Sequence, residues 1–258
     1  MKTQLFLLPF SLILLIMGLP SISSMDTFGQ QLIESSENKT DGWKKSFSLD
    51  ECNFSSIGYN DYMILIPGHQ LILEGKVNAA DVQLSITVLN DTKTVNGVET
   101  RIVEEKKTED GKLDEIAKNY FVICKPSNDI FNFGEEVDYY ENGKIISHEG
   151  AWEAGVNGSK PGIVMPGKIE LNSKYYQENG PGIAEDRSEI ISMTETVNTP
   201  AGTFDKVIKS KETNPLEPNS KDYKFYVKGI GFIKEESFKL IESPHPEILT
   251  LVKYTIPN

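Results

Sequence analysis

The chain has few of the residues that build metal centres and nucleophilic sites, with three histidines and two cysteines among 258 residues. None of His69, His148 and His245 stands in a His-x-x-x-His or His-Glu-x-x-His spacing, and no Cys-x-x-Cys pair occurs. A Gly-x-Ser-x-Gly nucleophile elbow is also missing. The acidic pairs lack the full loop pattern of a calcium site. We therefore expect no metal and no cofactor, and we assign no catalytic residue.

Positive charge is also scarce, because 26 Lys and Arg residues face 38 Asp and Glu residues and leave a formal net charge of -12. Nucleic acid binding depends on Lys and Arg that neutralise phosphates. An acidic chain of this kind is not expected to bind nucleic acid. An anionic membrane surface is disfavoured for the same reason.

Long apolar runs are missing after the first 20 residues, and the one run present extends from Leu5 to Leu19 behind Lys2. One positive charge, a short apolar core and then small or polar residues are typical of a secretory signal. We predict a signal peptide over residues 1–29 and a secreted or extracytoplasmic location, such as the cell envelope. A retained N-terminal anchor is the alternative. After cleavage we do not expect an integral membrane protein.

The two cysteines, Cys52 and Cys124, both follow the predicted cleavage region. In an oxidising compartment, two cysteines with no other partner most simply form a disulfide. Two unrelated buried thiols are the alternative interpretation.

Residues 30–55 are polar and lack apolar periodicity, which predicts a flexible N-terminal arm. From residue 56 to 258, short β-type runs alternate with turn signals such as Asn96-Gly97. This pattern predicts one all-β domain with minor α content: an antiparallel meander that forms a curved sheet, a half-barrel or a sandwich. Residues 113–119 are the one stretch that could form a helical turn or two.

Two stretches of the domain, about 60–145 and 190–255, repeat the same strand and turn signals. Thr94-Val95-Asn96 in the first matches Thr196-Val197-Asn198 in the second. A duplication is one explanation, and two similar meanders are the other, since alternating β sequence matches itself easily. Between them lies an insert, residues 149–187, so rich in Gly and Pro that we do not expect it to form regular sheet.

The insert and several flanking motifs carry a resemblance. Together with Tyr139–Lys144, Thr199–Phe204, Thr213–Pro218 and Tyr223–Gly231, the insert resembles an uncharacterised family of secreted prokaryotic β-sheet proteins. The part beginning at Pro200 is also similar to modules related to periplasmic lipoprotein carriers. That similarity implies a curved antiparallel sheet that could cradle something apolar.

Candidate binding residues lie in the insert, where aromatic side chains and carboxylates alternate with turns. They are Trp152, Tyr176, Glu178, Glu185 and Asp186. Aromatic rings and paired carboxylates suit a sugar. We favour the alternative that the same rings fix the insert to the sheet, because ordering such a loop needs buried aromatic area.

These residues leave three functions open. The first is a non-enzymatic exported protein that binds an apolar or glycan-type ligand or an envelope partner. The alternatives are an extracellular glycan hydrolase that uses carboxylates of the insert, and a purely structural envelope protein.

Overall fold

The structure is a computed structural model that describes residues 42–77, 79–239 and 246–257. The predicted signal peptide, residues 30–41 of the predicted arm, and His245 lie outside the described residues. In the described part the fold is all-β. The strands are β1 Phe54–Ser55, β2 Gly58–Tyr59, β3 Ile64–Leu65, β4 Gln70–Val77, β5 Ala80–Val95, β6 Val98–Glu109, β7 Lys112–Cys124, β8 Ile130–Glu141, β9 Lys144–Ser147, β10 Trp152–Glu153, β11 Lys160–Met165, β12 Lys174–Tyr176, β13 Glu178–Asn179, β14 Arg187–Thr199, β15 Gly202–Thr213, β16 Ser220–Val227, β17 Gly231–Lys239 and β18 Glu247–Thr255.

One antiparallel sheet contains most of these strands, in the order β12-β14-β15-β16-β17-β18-β4-β5-β6-β7-β8-β11-β13. Its two ends meet in one short segment. Within that segment β12 pairs with β14, while the adjoining β13 pairs with β11. The sheet is therefore nearly closed and barrel-like, and a separate two-stranded sheet, β2-β3, lies beside it.

Two local expectations were wrong. Residues 113–119 continue strand β7 and form no helical turn. Strand β7 pairs with β6 on one side and with β8 on the other, so these residues are held in the extended conformation. The insert at 149–187 does contain sheet: β10 and β11 pair with β8, and β12 and β13 close the barrel. Its Gly residues allow this pairing rather than prevent it.

Gly134 and Gly162 show how the insert reaches the sheet. Gly134 has φ +148°, and a Cβ atom there would lie 2.5 Å from the carbonyl oxygen of Trp152. A Cβ atom on Gly162 would lie 2.3 Å from the carbonyl oxygen of Gln177. Both positions need glycine because another backbone passes where a side chain would stand.

The predicted disulfide between Cys52 and Cys124 is present, with its Cα atoms 5.0 Å apart. It joins the chain before β1 to the end of β7, and Phe54 then pairs with Cys124 in the sheet. Further toward the N-terminus, Lys44 bridges to Tyr175 of β12. Residues 42–55 of the predicted arm thus lie along the sheet.

Alternation along the central strands decides which side chains enter the barrel. On β6, Val103, Glu105 and Lys107 point inward, and their partners on β7 are Asn119, Ala117 and Glu115. On β16, Lys224 and Tyr226 point inward, whereas Phe225 and Val227 belong to the opposite face. Phe225 and Val227 belong to an apolar cluster that also contains Val197 and Val207 of the β14-β15 hairpin. At the tip of this hairpin, the Ala201 N–H donates a hydrogen bond to the carbonyl of Leu251.

Candidate functional site

The interior of the barrel contains an apolar chamber of about 130 Å³. Its walls come from seven strands of the sheet, β4, β5, β6, β7, β11, β16 and β17, and from the segment before β4. Most lining side chains are aliphatic or aromatic, among them Leu71, Ile86, Val88, Val103, Phe121, Met165 and Phe232. Cavities of this size lined by apolar side chains hold a single ring such as benzene in other proteins.

His69, directly before β4, is a polar side chain in the wall of the apolar chamber. It is 4 % exposed, and its Nδ1 atom makes no hydrogen bond in the described structure. Burial lowers the pKa of His69, against an opposing effect of the backbone carbonyls of Thr255 and Ile230. Neither carbonyl meets hydrogen-bond geometry with Nδ1. The neutral ring therefore keeps one buried nitrogen without a hydrogen-bond partner, which costs stability.

A second, acidic chamber of about 290 Å³ lies next to the first. The two share three lining residues, Leu84, Glu105 and Glu235. Six carboxylates and two lysines line the acidic chamber: Glu105, Glu115, Glu217, Asp222, Glu235 and Glu247, with Lys107 and Lys239. Six negative and two positive side chains give it a formal charge of -4. Glu217 and Lys239 are exposed, so this chamber leads from the surface toward the apolar one.

Lys224 stands at the boundary, in the wall of the apolar chamber. Its Nζ atom lies 2.9 Å from Glu212 Oε2 and 4.0 Å from Glu235 Oε1. Burial lowers the pKa of Lys224, but the carboxylates of Glu212 and Glu235 outweigh that effect and raise it well above its ordinary value. Lys224 is therefore charged, and it is already paired with acids of the protein.

Glu212 receives the densest set of hydrogen bonds at this boundary. Gln177 Nε2 donates to Glu212 Oε1 over 3.1 Å, and the Ser210 hydroxyl donates over 3.3 Å. By contrast, Glu105 accepts one long hydrogen bond, 3.5 Å, from Asn119 Nδ2. Glu105 and Glu235 are thus the less satisfied carboxylates of the shared wall.

Burial raises the pKa of both acids of the shared wall. It raises the pKa of Glu235 to about 7, although Lys224 opposes the shift. It also raises the pKa of Glu105, which Lys224 lowers and the charge of Glu212 raises further. The physical cause is that a buried carboxylate loses hydration that one lysine cannot replace for several acids.

The predicted aromatic site residues are packed inside the protein rather than presented to a ligand. Trp152 is 4 % exposed, Gly180 lies against its ring, and its Nε1 atom has no hydrogen-bond partner in the described structure. Tyr176 is 2 % exposed, and the ammonium group of Lys45 lies 4.4 Å from the centre of its ring. Neither ring lines the apolar or the acidic chamber.

Two of the three predicted carboxylates come together. Glu178 N–H and Gln177 N–H both donate to the carbonyl of Asp186, which holds the two acidic side chains near each other. Asn132 Nδ2 donates to Glu178 over 3.4 Å, and Asn214 Nδ2 donates to Asp186 over 3.2 Å. Burial raises the pKa of Glu178, and the charges of Glu135 and Asp186 raise it further. Glu185 does not join them, because it accepts from the Gly182 N–H in its own turn.

Sequence reasoning missed Glu105 and Glu235 of the shared wall, and also His69 and Lys224 in the wall of the apolar chamber. Strands β6 and β16 place charged residues on both faces, so alternation alone could not single out the inward ones. His148, which the sequence placed near the insert, lies 2.8 Å from Asp138 on an exposed part of the surface. Among the described residues, no three His, Cys, Asp or Glu side chains converge in a way that could hold a metal ion.

Comparisons with known proteins add little. No family model matches the chain, and no curated protein matches it. Among solved structures, a candidate lipoprotein from Parabacteroides distasonis ATCC 8503 aligns over 77% of this chain and 100% of its own, with 15% identity and a TM-score of 0.36. A candidate exported protein with a YmcC-like fold from Bacteroides fragilis NCTC 9343 aligns over 78% and 100%, with 16% identity and a TM-score of 0.36. These scores are too low to support a functional argument, and the similarity to lipoprotein carriers gains no support from them.

The described part of the chain also contains no helix with the length and apolar character that a membrane span requires.

Proposed function

We propose that this chain is an exported, non-enzymatic binding protein that holds a small apolar ligand in the apolar chamber. The observation that carries the proposal is an apolar space inside the sheet, lined mainly by aliphatic and aromatic side chains. A ligand with a small apolar body would fill this space. The Cys52–Cys124 disulfide supports export, because such bonds persist in oxidising compartments.

The apolar chamber limits the size of the ligand. Its volume fits one ring or a short alkyl chain and is too small for a long acyl chain. We therefore expect 2-phenylethanol, a neutral compound with one ring and one hydroxyl, to bind. Isothermal titration calorimetry measures this directly.

A matched pair of variants tests the location. Ile86→Trp fills the apolar chamber from β5 and should abolish binding of 2-phenylethanol. Ser85→Trp, on the other face of the same strand, should leave binding unchanged. Thermal unfolding of both variants checks that each is folded, and Val88→Ile is a gentler filling substitution at the same wall. Failure of the wild-type protein to bind, or binding that survives in folded filling variants, would contradict the proposal.

A glycan hydrolase is the second candidate, and the closeness of Glu178 and Asp186 favours it. Burial raises the pKa of both acids, and a glycosidase needs an acid with a raised pKa beside a second carboxyl group. Against it, these two side chains share a hydrogen bond, whereas glycosidases hold their carboxyl groups about 5–10 Å apart. In addition, Trp152 and Tyr176 have no free faces on which a sugar could stack. Release of reducing sugar from envelope glycans by the wild type, lost in Glu178→Gln and Asp186→Asn, would favour this candidate over the first.

A further inference from the structure

We infer that the ligand of the apolar chamber is a small amphipathic amine, whose cationic group lies at the shared wall between Glu105 and Glu235 and whose apolar part fills the apolar chamber. This inference rests on the proposed function and names the chemical class of its ligand.

The first argument is the position of the charges. Glu105 and Glu235 line both chambers, so a ligand seated in the apolar chamber meets these two carboxylates where the apolar wall ends. The cation of the protein at this point, Lys224, already lies 2.9 Å from Glu212. Within the described structure, Glu105 accepts one hydrogen bond, over 3.5 Å, from Asn119. The shared wall therefore offers carboxylate oxygens with remaining capacity to accept from an ammonium group.

The second argument is the route. The acidic chamber, with six carboxylates and two lysines, lies between the exposed side chains of Glu217 and Lys239 and the apolar chamber. A negative field in a narrow space concentrates cations and excludes anions. A fatty acid or another carboxylate would meet repulsion along this route and at its end.

The third argument is the apolar chamber itself, which can hold the uncharged part of the ligand. Its lining side chains are mostly aliphatic or aromatic, and the two carboxylates lie at one end of it. The combination of an apolar space and two carboxylates at one end fits a ligand with an apolar body and a cationic end. An inorganic cation would leave the apolar chamber empty.

The test uses three ligands that share one ring and differ in charge: 2-phenylethylammonium, 2-phenylethanol and 3-phenylpropanoate. Calorimetry on the full mature protein at pH 8 should show that the ammonium compound binds about tenfold more tightly than the alcohol. We expect no measurable binding of the carboxylate. Raising the salt concentration should weaken binding of the ammonium compound and leave binding of the alcohol unchanged.

Variants of neighbouring residues on β17 locate the effect. Glu235→Gln, and the double variant Glu105→Gln/Glu235→Gln, should reduce the preference for the ammonium compound over the alcohol. Glu236→Gln should not, because Glu236 lies on the outer face beside Lys209 and Lys234. Gln resembles a protonated Glu in shape, so these variants should fold.

The outcomes separate the two proposals. If the alcohol binds and the ammonium compound binds no better, or if the preference survives in the double variant, the amine inference is wrong and the proposed function stands. If none of the three compounds binds, both are wrong. A preference for the ammonium compound that is lost in the double variant and kept in Glu236→Gln supports both.

Discussion

The apolar chamber and the acidic chamber are built by the same strands, yet they differ completely in character. Along β6, the step from Val103 to Glu105 and Lys107 moves from one to the other within four residues. In the apolar chamber, burial of the aliphatic and aromatic side chains stabilises the fold at any pH. In the acidic chamber, burial disfavours charged carboxylates, so its cost in stability depends on whether they are protonated. A protein that needed only a stable barrel would not require the second kind of interior, which is why we connect it with binding.

The largest effect should come from removing the cation between the chambers. Lys224→Met leaves Glu212 and Glu235 buried without their positive partner. Removal of one partner from a buried ion pair costs on the order of 3–5 kcal/mol. We expect this loss in the free energy of unfolding at pH 8, measured by urea denaturation.

The double variant Lys224→Met/Glu212→Gln is the control for that prediction, because it also removes the carboxylate nearest to Lys224. It should recover much of the stability. If the single variant is as stable as the wild type, the pairing across the chambers does not stabilise the fold.

A change of pH should have the next largest effect, through two buried carboxyl groups: Glu235 of the acidic chamber and Glu135 of β8. The pKa of Glu235 is raised to about 7 and that of Glu135 to about 8, mainly by burial. Unfolded glutamates titrate near pH 4.3, so between about pH 4.5 and 8 the folded protein holds protons that the unfolded chain has lost. The free energy of unfolding should therefore fall as pH rises through this window, by on the order of 1–3 kcal/mol.

Denaturant unfolding at pH 5.5 and pH 8 measures this dependence. Below the unfolded pKa the favourable effect is complete, and above pH 8 it is gone. The raised pKa of Lys224 does not interfere, because this lysine remains charged throughout the window. The lowered pKa of His69 opposes the trend near the acidic end of the window. Glu235→Gln should therefore make the profile less steep than that of the wild type, whereas Glu236→Gln should preserve it. Equal profiles for the wild type and Glu235→Gln would show that Glu235 is not buried as described.

The smallest effect should come from the apolar chamber. Val103→Ala removes two methyl groups from its wall and should lower the free energy of unfolding by about 1–2 kcal/mol. Unlike the change at Lys224, this loss should be equal at pH 5.5 and pH 8, since no ionisable group is involved. Unfolding curves of Val103→Ala at the two pH values check the contrast. A strongly pH-dependent loss would mean that the two chambers are not independent.

Part of the fold followed from local signals. Asn96-Gly97 and Asp110-Gly111 connect β5 to β6 and β6 to β7, with Asn96 and Asp110 in the left-handed conformation that such turns need. The pairing of Cys52 with Cys124 followed from count and compartment. The strands of the insert could not be predicted from local signals. At Gly134 and Gly162 another part of the backbone passes close by, and it belongs to residues well beyond the local sequence.

The candidate site divides in the same way. Glu178 and Asp186 could be singled out as acids of the insert, and hydrogen bonds of their own segment bring them together. Glu105 and Glu235 could not be singled out, because 130 residues of chain separate them. The alternation of a β-strand also defines two faces without showing which of them is inside.

The sequence by itself therefore determined the all-β class, the turns and the disulfide partners, because each depends on residue type or on neighbours within a few positions. Only the tertiary structure decided that the sheet nearly closes and which acids it encloses. Closure depends on the pairing of Lys174–Asn179 with two strands distant from each other. That pairing turns a face that could have been solvated into an interior, where burial raises the pKa of Glu105 and Glu235.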